Sequence, residues 1–356
     1  MSIPGFDNCL ADRFNKILEI MKAQGIDGLL LNSEANISYV AGFHAPDSYM
    51  LIGALGGTLI TDFRYTCDFE KKVVSPIKVL EYRSSIFKTI ARTIRQEAIK
   101  KTGFESRHLT FAECEILNDL AGKSSKFIPL KETIEPLREV KDEEEIANMK
   151  RAIEITLKTF SFIEKKLKPG LAELEVVAEI ERFIRLQGAC ASAFNIIVAS
   201  GPNSSFPHAG ISQRVMKKGE PVVIDMGVEY NGYKCDLTRT FFLGKITPLV
   251  QKVAHIVHEA QIRAIKIIRP GTIIKDIDSA ARYYIAGKGF GKNFGHALGH
   301  GVGLEVHESP SINRKNNHRI RKGMIFTVEP AIYIAGAFGV RREDMVLVTD
   351  TGVEVL

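Results

Sequence analysis

The sequence predicts an α+β protein in which a smaller α/β domain precedes a larger, pseudo-symmetric α+β domain. Three observations lead to this expectation. The chain has 356 residues, and single hydrophobic cores stop growing near roughly 250 to 300 residues. The first part alternates helix and strand patterns, and the second part repeats one order of elements. We expect the domains to cover residues 1–139 and 140–356.

Composition and charge exclude several classes of protein. Apolar residues make up 45% and charged residues 25% of the chain, as in globular rather than disordered proteins. The net charge of +6 is spread along helical faces without aromatic interleaving, so we expect no nucleic-acid partner. The start resembles no signal peptide and no apolar run is long enough to cross a membrane, which predicts a cytoplasmic protein. The five cysteines contain no C-x-x-C pair and are expected to be reduced.

The first domain shows the helix and strand patterns of an α/β layer. Apolar residues at helical spacing occupy Ala11 to Gln24 and Ile86 to Lys101. The runs Asp27 to Leu31 and Gly57 to Ile60 are typical of buried strands.

The second domain is expected to begin with a long amphipathic helix. Asp142 and Glu145 form a plausible capping pair, and the helical pattern continues to Lys168.

Beyond that helix the sequence repeats itself. Each half has a Pro-Gly pair after its first helix, a glycine after its second helix, and two basic residues with a glycine before its strand. These glycines are Gly170, Gly188 and Gly219 in the first half and Gly271, Gly287 and Gly323 in the second. Counting six residues onward from Gly219 and from Gly323 reaches Asp225 and Glu329. The repeat predicts acids at equivalent places in both halves.

Two aspartates are expected on one face of a strand pair. The apolar strand that contains Asp225 is followed by Asn231-Gly232, a two-residue hairpin turn. In that register Gly227 lies opposite Asp236, so Asp225 is diagonal to Asp236. Buried carboxylates that close together repel each other and are costly without a cation.

Further acids belong to the same pattern. Glu329 ends an apolar run and Glu343 lies near the start of another. Four carboxylates carry a charge that two divalent cations would balance. Carboxylate-rich sites with a single imidazole favour manganese, with cobalt, zinc or iron as alternatives.

The imidazole is expected from the glycine-rich segment 295–308, which contains His296, His300 and His307. Its glycine density excludes a regular helix. The segment therefore predicts an irregular backbone that directs imidazoles toward a cleft.

The order Asp225, Asp236, His300, Glu329 and Glu343 resembles the ligand set of the creatinase, aminopeptidase P and prolidase family, peptidase family M24, whose catalytic domain has the pita-bread fold. The resemblance is strong from Lys141 onward. Segments that precede the first ligand, and two in the first domain, also resemble Xaa-Pro peptidases of this family. They are Ile197 to Ser204, Pro207-His208, Asn36 to Phe43 and Leu59 to Tyr65.

The resemblance implies a role for each site residue. Asp225 and Asp236 would bind one cation, Asp236 and Glu343 would bridge to the other, and His300 and Glu329 would complete the second. The two cations would activate a water molecule, with Glu329 as proton shuttle. The other implied catalytic residues are His208 and His307, which would stabilise the intermediate or orient the leaving proline, His296, which would line the pocket, and Arg341, which would support the ligands.

The implied activity is an Xaa-Pro aminopeptidase that acts on peptides with proline in second position, as a homodimer. The alternative is an Xaa-Pro dipeptidase, or prolidase. Many prolidases have arginine where this chain has Ser311, which favours the aminopeptidase. A methionine aminopeptidase and a silent peptide-binding module are further alternatives.

Overall fold

Residues 8–356 are described by the computed structural model, with side chains from residue 9 onward. Residues 1–7, the start over which no signal peptide is expected, lie outside this range. The chain divides into two units, Met1–Arg138 and Glu139–Leu356. No helix within residues 8–356 has both the length and the hydropathy of a membrane span.

The first unit is built on a mixed six-stranded sheet with helices between its strands. Its helices and strands are α1 (Asn8–Gln24), β1 (Gly28–Leu31), α2 (Glu34–Ala41), β2 (Tyr49–Gly53), β3 (Gly56–Thr61), α3 (Phe63–Lys72), β4 (Ile77–Glu81), α4 (Ile86–Gln96), β5 (Lys101–Glu105), α5 (Phe111–Ala121), β6 (Lys126–Leu130) and α6 (Glu135–Arg138). The strand order is β4-β3-β2-β1-β5-β6. Strands β1 and β2, and β2 and β3, pair antiparallel, whereas β4, β5 and β6 each join a parallel neighbour.

Apolar faces of α4 and α5 cover one side of this sheet. Leu30 of β1, Ile90 of α4 and Leu117 of α5 belong to one buried cluster. The expected helix Ile86 to Lys101 is too long, because α4 ends at Gln96. Ala98 has a φ of 54°, which turns the chain so that Lys101 can begin β5.

The second unit contains four helices and several short strands within residues 139–356. They are α7 (Glu143–Glu164), α8 (Glu173–Leu186), β7 (Ala191–Ser192), β8 (Ile197–Ser200), β9 (Pro221–Met226), β10 (Val228–Tyr230), β11 (Tyr233–Lys234), β12 (Leu237–Phe242), α9 (Pro248–Lys266), α10 (Ile274–Gly287), β13 (Gly299–Gly301), β14 (Glu308–Ile312), β15 (Ile325–Val328), β16 (Ala331–Ile334), β17 (Phe338–Arg341), β18 (Asp344–Val348) and β19 (Val353–Val355).

The long helix begins as the sequence indicates and ends early. Asp142 and Glu145 form a capping box at the start of α7. The helix stops at Glu164 rather than Lys168, because the chain must turn there to bring the amide of Gly170 to the carbonyl of Met216.

The predicted repeat is present in the backbone of the second unit. Gly170 donates to Met216 O at 3.0 Å in the first half, and Gly271 donates to Ile320 O at 2.8 Å in the second. Both glycines have positive φ, 97° and 89°. Each half therefore holds two helices against its own sheet in the same way, and the pseudo-symmetric α+β fold is confirmed.

Each half contributes one central sheet. The first half has the three-stranded sheet β12-β9-β8, and the second has the five-stranded sheet β14-β13-β15-β18-β19. An isolated bridge between Thr238 and Glu343 connects the two halves. In the second half, Val257 of α9, Ile277 of α10 and Phe326 of β15 share one buried cluster.

Candidate metal centre

The first two acids lie on the strand pair β9 and β12. Asn231 and Gly232 have φ values of 50° and 82° and form the two-residue turn between β10 and β11, where Tyr230 pairs with Tyr233. The same register continues to β9 and β12, where Asp225 pairs with Thr238. The diagonal placement of Asp225 and Asp236 is therefore confirmed.

The sequence suggests one continuous strand on each side of the turn, but in the structure both strands are interrupted. Regular pairing is interrupted at Gly227 and at Cys235 and Asp236. A Cβ atom on Gly227 would lie 1.7 Å from the carbonyl oxygen of Cys235. The close approach of these backbones requires glycine, and it brings Asp236 next to Asp225.

The second half supplies the other two acids. Glu329 follows β15, and its amide donates to Leu298 O at 2.8 Å. Glu343 precedes β18, and its amide donates to Thr238 O at 3.2 Å. The hydroxyl of Thr238 donates to Glu343 Oε2 at 2.6 Å. A residue of the first half thus fixes a carboxylate of the second.

We expected His300 on irregular backbone, but it lies on the short strand β13. A Cβ atom on Gly299 would lie 1.9 Å from Thr327 O, so glycine allows β13 to pack closely on β15. His300 Nδ1 is 3.1 Å from Gly301 O. Because a carbonyl only accepts, this nitrogen carries the proton and Nε2 keeps its lone pair.

His300 Nε2 faces the acids. It lies 3.6 Å from Asp236 Oδ2 and 3.5 Å from Glu329 Oε1. Burial, with a smaller contribution from His307, lowers the pKa of His300 to about 4. A neutral imidazole of this kind is a metal ligand.

The charges of the cluster fit divalent cations. Burial, then repulsion by Glu343 and Asp225, raises the pKa of Asp236 well above its usual value. Burial and Glu343 do the same for the pKa of Glu329, and burial with Asp225 raises the pKa of Glu343 to about 8. Carboxylates packed this closely remain ionised only beside positive charge.

Buried carboxylate oxygens without hydrogen bonds also fit divalent cations. Oδ1 of Asp225 and Oδ1 of Asp236 are buried and accept no hydrogen bond from residues 8–356. Donor atoms of Asp236, His300 and Glu343 all lie within 4.8 Å of one another. An oxygen-rich set with one imidazole is suited to manganese or a similar ion.

Arg341 supports the acids through direct contacts. Its Nη2 donates to Asp225 Oδ2 at 2.5 Å, and its Nε donates to Thr238 Oγ1 at 3.0 Å. Its Nη1 donates to the hydroxyl of Tyr333 at 2.7 Å. Arg341 therefore fixes Asp225 directly and Glu343 through Thr238.

The remaining three histidines line the same cavity of about 990 Å³. His296 Nδ1 is 2.7 Å from Ala297 O, and burial lowers the pKa of His296 to about 4. The ring of His307 lies 4.3 Å from that of His300, and partial burial, then the charge of His208, lowers its pKa. His208 is exposed. All nine site residues named from the sequence are thus brought to one cavity.

Two features of the site were not foreseen. Tyr333 lies between Arg341 and His296, with its hydroxyl 3.5 Å from His296 Nε2. Lys141 Nζ and Glu308 Oε1 form a buried ion pair at 2.6 Å, next to His307. The hydroxyl of Tyr333 within an apolar strand is a weak sequence signal for a residue of the site. The pair of Lys141 and Glu308 has no local sequence signal, because the two residues are 167 positions apart.

A second group of potential ligands lies in the first unit. It contains Glu105, His108 and Glu135. Glu105 already accepts from the amides of Asn32 and Ser33 and from the side chain of Asn36. These bonds identify Glu105 as a structural residue that ties β5 to the start of α2.

Comparison with known families agrees with this geometry. Residues 147–350 match metallopeptidase family M24, and residues 13–140 match the creatinase/prolidase N-terminal domain. The chain belongs to metallopeptidase family M24. The family resemblance of the sequence and the pita-bread fold are thereby confirmed.

Individual relatives of this M24 metallopeptidase match it over nearly their whole length. An Xaa-Pro dipeptidase from Bacillus anthracis has a similar structure, with a TM-score of 0.94, 37% identity and 97% of both chains covered. An X-Pro aminopeptidase from Thermotoga maritima has a TM-score of 0.88 and 36% identity, over 95% of this chain and 97% of the other. An Xaa-Pro dipeptidase of Pyrococcus horikoshii is 35% identical over 96% of this chain and 95% of its own.

Proposed function

We propose that this M24 metallopeptidase is an Xaa-Pro dipeptidase that hydrolyses the bond between the first residue and proline in dipeptides. The likeness to Xaa-Pro dipeptidases over at least 95% of both chains carries the proposal. The sequence alone favoured the aminopeptidase, and the comparisons favour the dipeptidase.

The acids and His300 would hold two divalent cations, as their charge and free oxygens suggest. Asp225 and Asp236 would bind the first cation, His300 and Glu329 the second, and Asp236 and Glu343 would bridge them. Bound cations supply Lewis acidity to the scissile carbonyl and make water a nucleophile at neutral pH.

Side chains of the cavity perform the remaining steps. Glu329 takes a proton from the attacking water on its carboxylate and passes it to the proline nitrogen as the C–N bond breaks. His307 donates from its ring to the oxygen that gains charge in the transition state. Arg341 holds Asp225 in place through its contact at 2.5 Å, and His296 lines the substrate pocket.

The free carboxylate of a dipeptide needs a partner in the cavity. Arg341 is the one Lys or Arg among the described residues that line it, and Arg341 is already bound to Asp225. We therefore assign the carboxylate to His208, which is exposed on the cavity and has no such ion pair among the contacts of residues 8–356.

An Xaa-Pro aminopeptidase is the second candidate, and Ser311 favours it. Ser311 lies opposite His300 in the pairing of β14 with β13 and lines the cavity. Its hydroxyl accepts from Asn313 Nδ2 at 2.8 Å. A short neutral side chain leaves room for residues beyond proline and offers no charge to a free carboxylate.

One comparison of substrates separates these functions. Xaa-Pro, Xaa-Pro-amide and Xaa-Pro-Yaa with the same first residue, together with Met-Ala-Yaa, are each assayed under manganese, cobalt and zinc. We expect the dipeptide to have the highest kcat/KM. A higher value for Xaa-Pro-Yaa would identify an aminopeptidase, cleavage of Met-Ala-Yaa alone a methionine aminopeptidase, and binding without cleavage a silent module.

We further propose manganese as the ion and a homodimer as the assembly. Four carboxylates with one imidazole support the first, and metal analysis of the purified protein tests it. The family resemblance supports the second, and sedimentation velocity tests it.

A further inference from the structure

The segment that places His208 on the cavity has no regular structure of its own. Residues 206–214 form neither helix nor strand, and residues 207–211 line the cavity. His208 lies near the middle of residues 206–211, which are called the His208 loop below. Arg341 Nη1 donates to Pro207 O at 3.2 Å within the loop, and the other contacts that decide where His208 lies are those of its two flanks.

A buried carboxylate contacts residues on both sides of the His208 loop. Glu173, the first residue of α8, is fully buried, with 0% of its surface exposed. Its Oε1 accepts from Ser200 N at 2.6 Å and from Ser200 Oγ at 2.8 Å. Its Oε2 accepts from Asn203 Nδ2 at 3.0 Å and from Ser212 Oγ at 2.5 Å. Ser200 and Asn203 precede the loop, and Ser212 follows it.

Backbone bonds join the same helix end to the far side of the loop. The amide of Glu173 donates to Arg214 O at 3.0 Å, and the amide of Leu174 donates to Ser212 O at 3.0 Å. These amides are among those that a helix leaves without partners at its start. The first turn of α8 is thus completed by the His208 loop's carboxyl-terminal flank.

Arg214 closes the arrangement from the other side. Its guanidinium contacts Ser200 Oγ and donates to both oxygens of Glu220, at 2.9 Å and 2.5 Å. Arg214, which follows the loop, is therefore joined directly to Ser200, which precedes it.

The charge of Glu173 is what these bonds require. A buried carboxylate is costly unless donors surround it, and charge-assisted hydrogen bonds are stronger than neutral ones. Four donors converge on Glu173, and its position at a helix start favours negative charge. An amide in its place would direct its own donors at Asn203 and Ser212.

We propose that Glu173 is a positioning residue for His208, which holds both ends of the His208 loop so that the imidazole stays on the cavity. Glu173 touches neither the metal ligands nor the cavity. Its effect on turnover rests on the proposed peptidase function, whereas its effect on the order of the loop does not.

Amide hydrogen exchange of the metal-free protein tests the anchoring. We expect Glu173→Gln and Ser212→Ala to speed exchange in residues 203–214 by about tenfold or more, because a bond to a charged group is lost. The control is Glu145→Gln, a buried carboxylate that caps α7 and accepts from Tyr233; it should leave exchange in that segment unchanged. Unchanged exchange in Ser212→Ala would overturn the proposal, even if Glu173→Gln failed to fold.

A kinetic cycle tests whether Glu173 acts through His208. In the wild-type background Glu173→Gln should lower kcat/KM about tenfold with metal content unchanged. In the His208→Ala background the same change should have little further effect. An equal loss in both backgrounds, or loss of metal, would refute the positioning role. Failure of the wild-type enzyme to cleave Xaa-Pro peptides would instead refute the proposed function, and the exchange experiment would still decide the anchoring.

Discussion

Asp236 lies between the acids of both halves of the second unit. It contacts His300 from the second half at 3.6 Å, and Glu343, Asp225 and Glu329 all contribute to raising its pKa after burial. A side chain in this position can serve two cations, as a bridging ligand must.

Replacing Asp236 should therefore remove the metal centre. Asp236→Asn keeps the shape and loses the charge, so we expect no measurable turnover and fewer than two ions per chain by elemental analysis. Asp350→Asn, at an exposed carboxylate, is the control. Near-normal turnover with both ions bound would contradict the bridging role.

His307 should act on the reaction rather than on the metal. Loss of one preorganised donor to a developing oxyanion typically costs about 100-fold to 1,000-fold in kcat. We expect that loss in His307→Ala with metal content unchanged, and no loss in His318→Ala, an exposed histidine of the same unit. If His307→Ala loses metal and activity together, His307 is a ligand.

Ser311 should set the preference between dipeptides and longer peptides. A hydrogen bond to a charged group contributes about 1.5 to 3 kcal/mol, so Ser311→Arg should lower KM for Xaa-Pro about tenfold or more. Xaa-Pro-amide should gain nothing, and Ser311→Gln controls for size. Equal gains with the free acid and the amide would show that charge is not what matters there.

At the scale of elements, the β9 and β12 pair combines regular register with one tight contact. The pairing fixes which face the aspartates occupy, and the interruption at Gly227 and Cys235 brings Asp236 toward Asp225. Stability and metal binding are therefore coupled at this point of the sheet.

Gly227→Ala should damage both properties. Its Cβ would lie 1.7 Å from Cys235 O, and overpacking of this kind costs about 3 kcal/mol or more. We expect a lower midpoint of denaturant unfolding and weaker metal binding. Gly287→Ala, where a Cβ would meet nothing within 4 Å, should lose no stability. Similar midpoints for the two variants would argue against the close contact.

The sequence predicted those elements whose signals are local. Asn231-Gly232 fixed the hairpin register because a two-residue turn allows few alternatives. The end of α4 was missed because residues 97–101 continue an apolar helical pattern, although the chain is needed for β5. Similarly, β13 was hidden by its glycines, which disfavour a strand by propensity but are required for its contact with β15.

For the whole molecule, the five proposed metal ligands all belong to residues 139–356. The same residues contain a buried hydrophobic core of their own, so a fragment of residues 139–356 should fold and bind two ions per chain. Circular dichroism and elemental analysis measure this, with Asp236→Asn in the same fragment as control. A folded fragment that binds no metal would show that residues 1–138 are needed for the site.

Long-range contacts limited what the sequence could predict of the site. The proposed metal ligands could be named because their order and spacing resemble a family pattern. The bonds of Glu173, the pair of Lys141 with Glu308 and the position of Tyr333 depend on residues far apart in the chain, and each is individually an ordinary polar residue.

The bridge between Thr238 and Glu343 also has a consequence for biosynthesis. A polypeptide emerging from the ribosome presents Asp225, Asp236 and Thr238 well before Glu343, so its first half is exposed with its acids unopposed. Only after Glu343 has been translated can the arrangement close. Acquisition of the proposed cations should therefore be complete only after residue 343 has been translated.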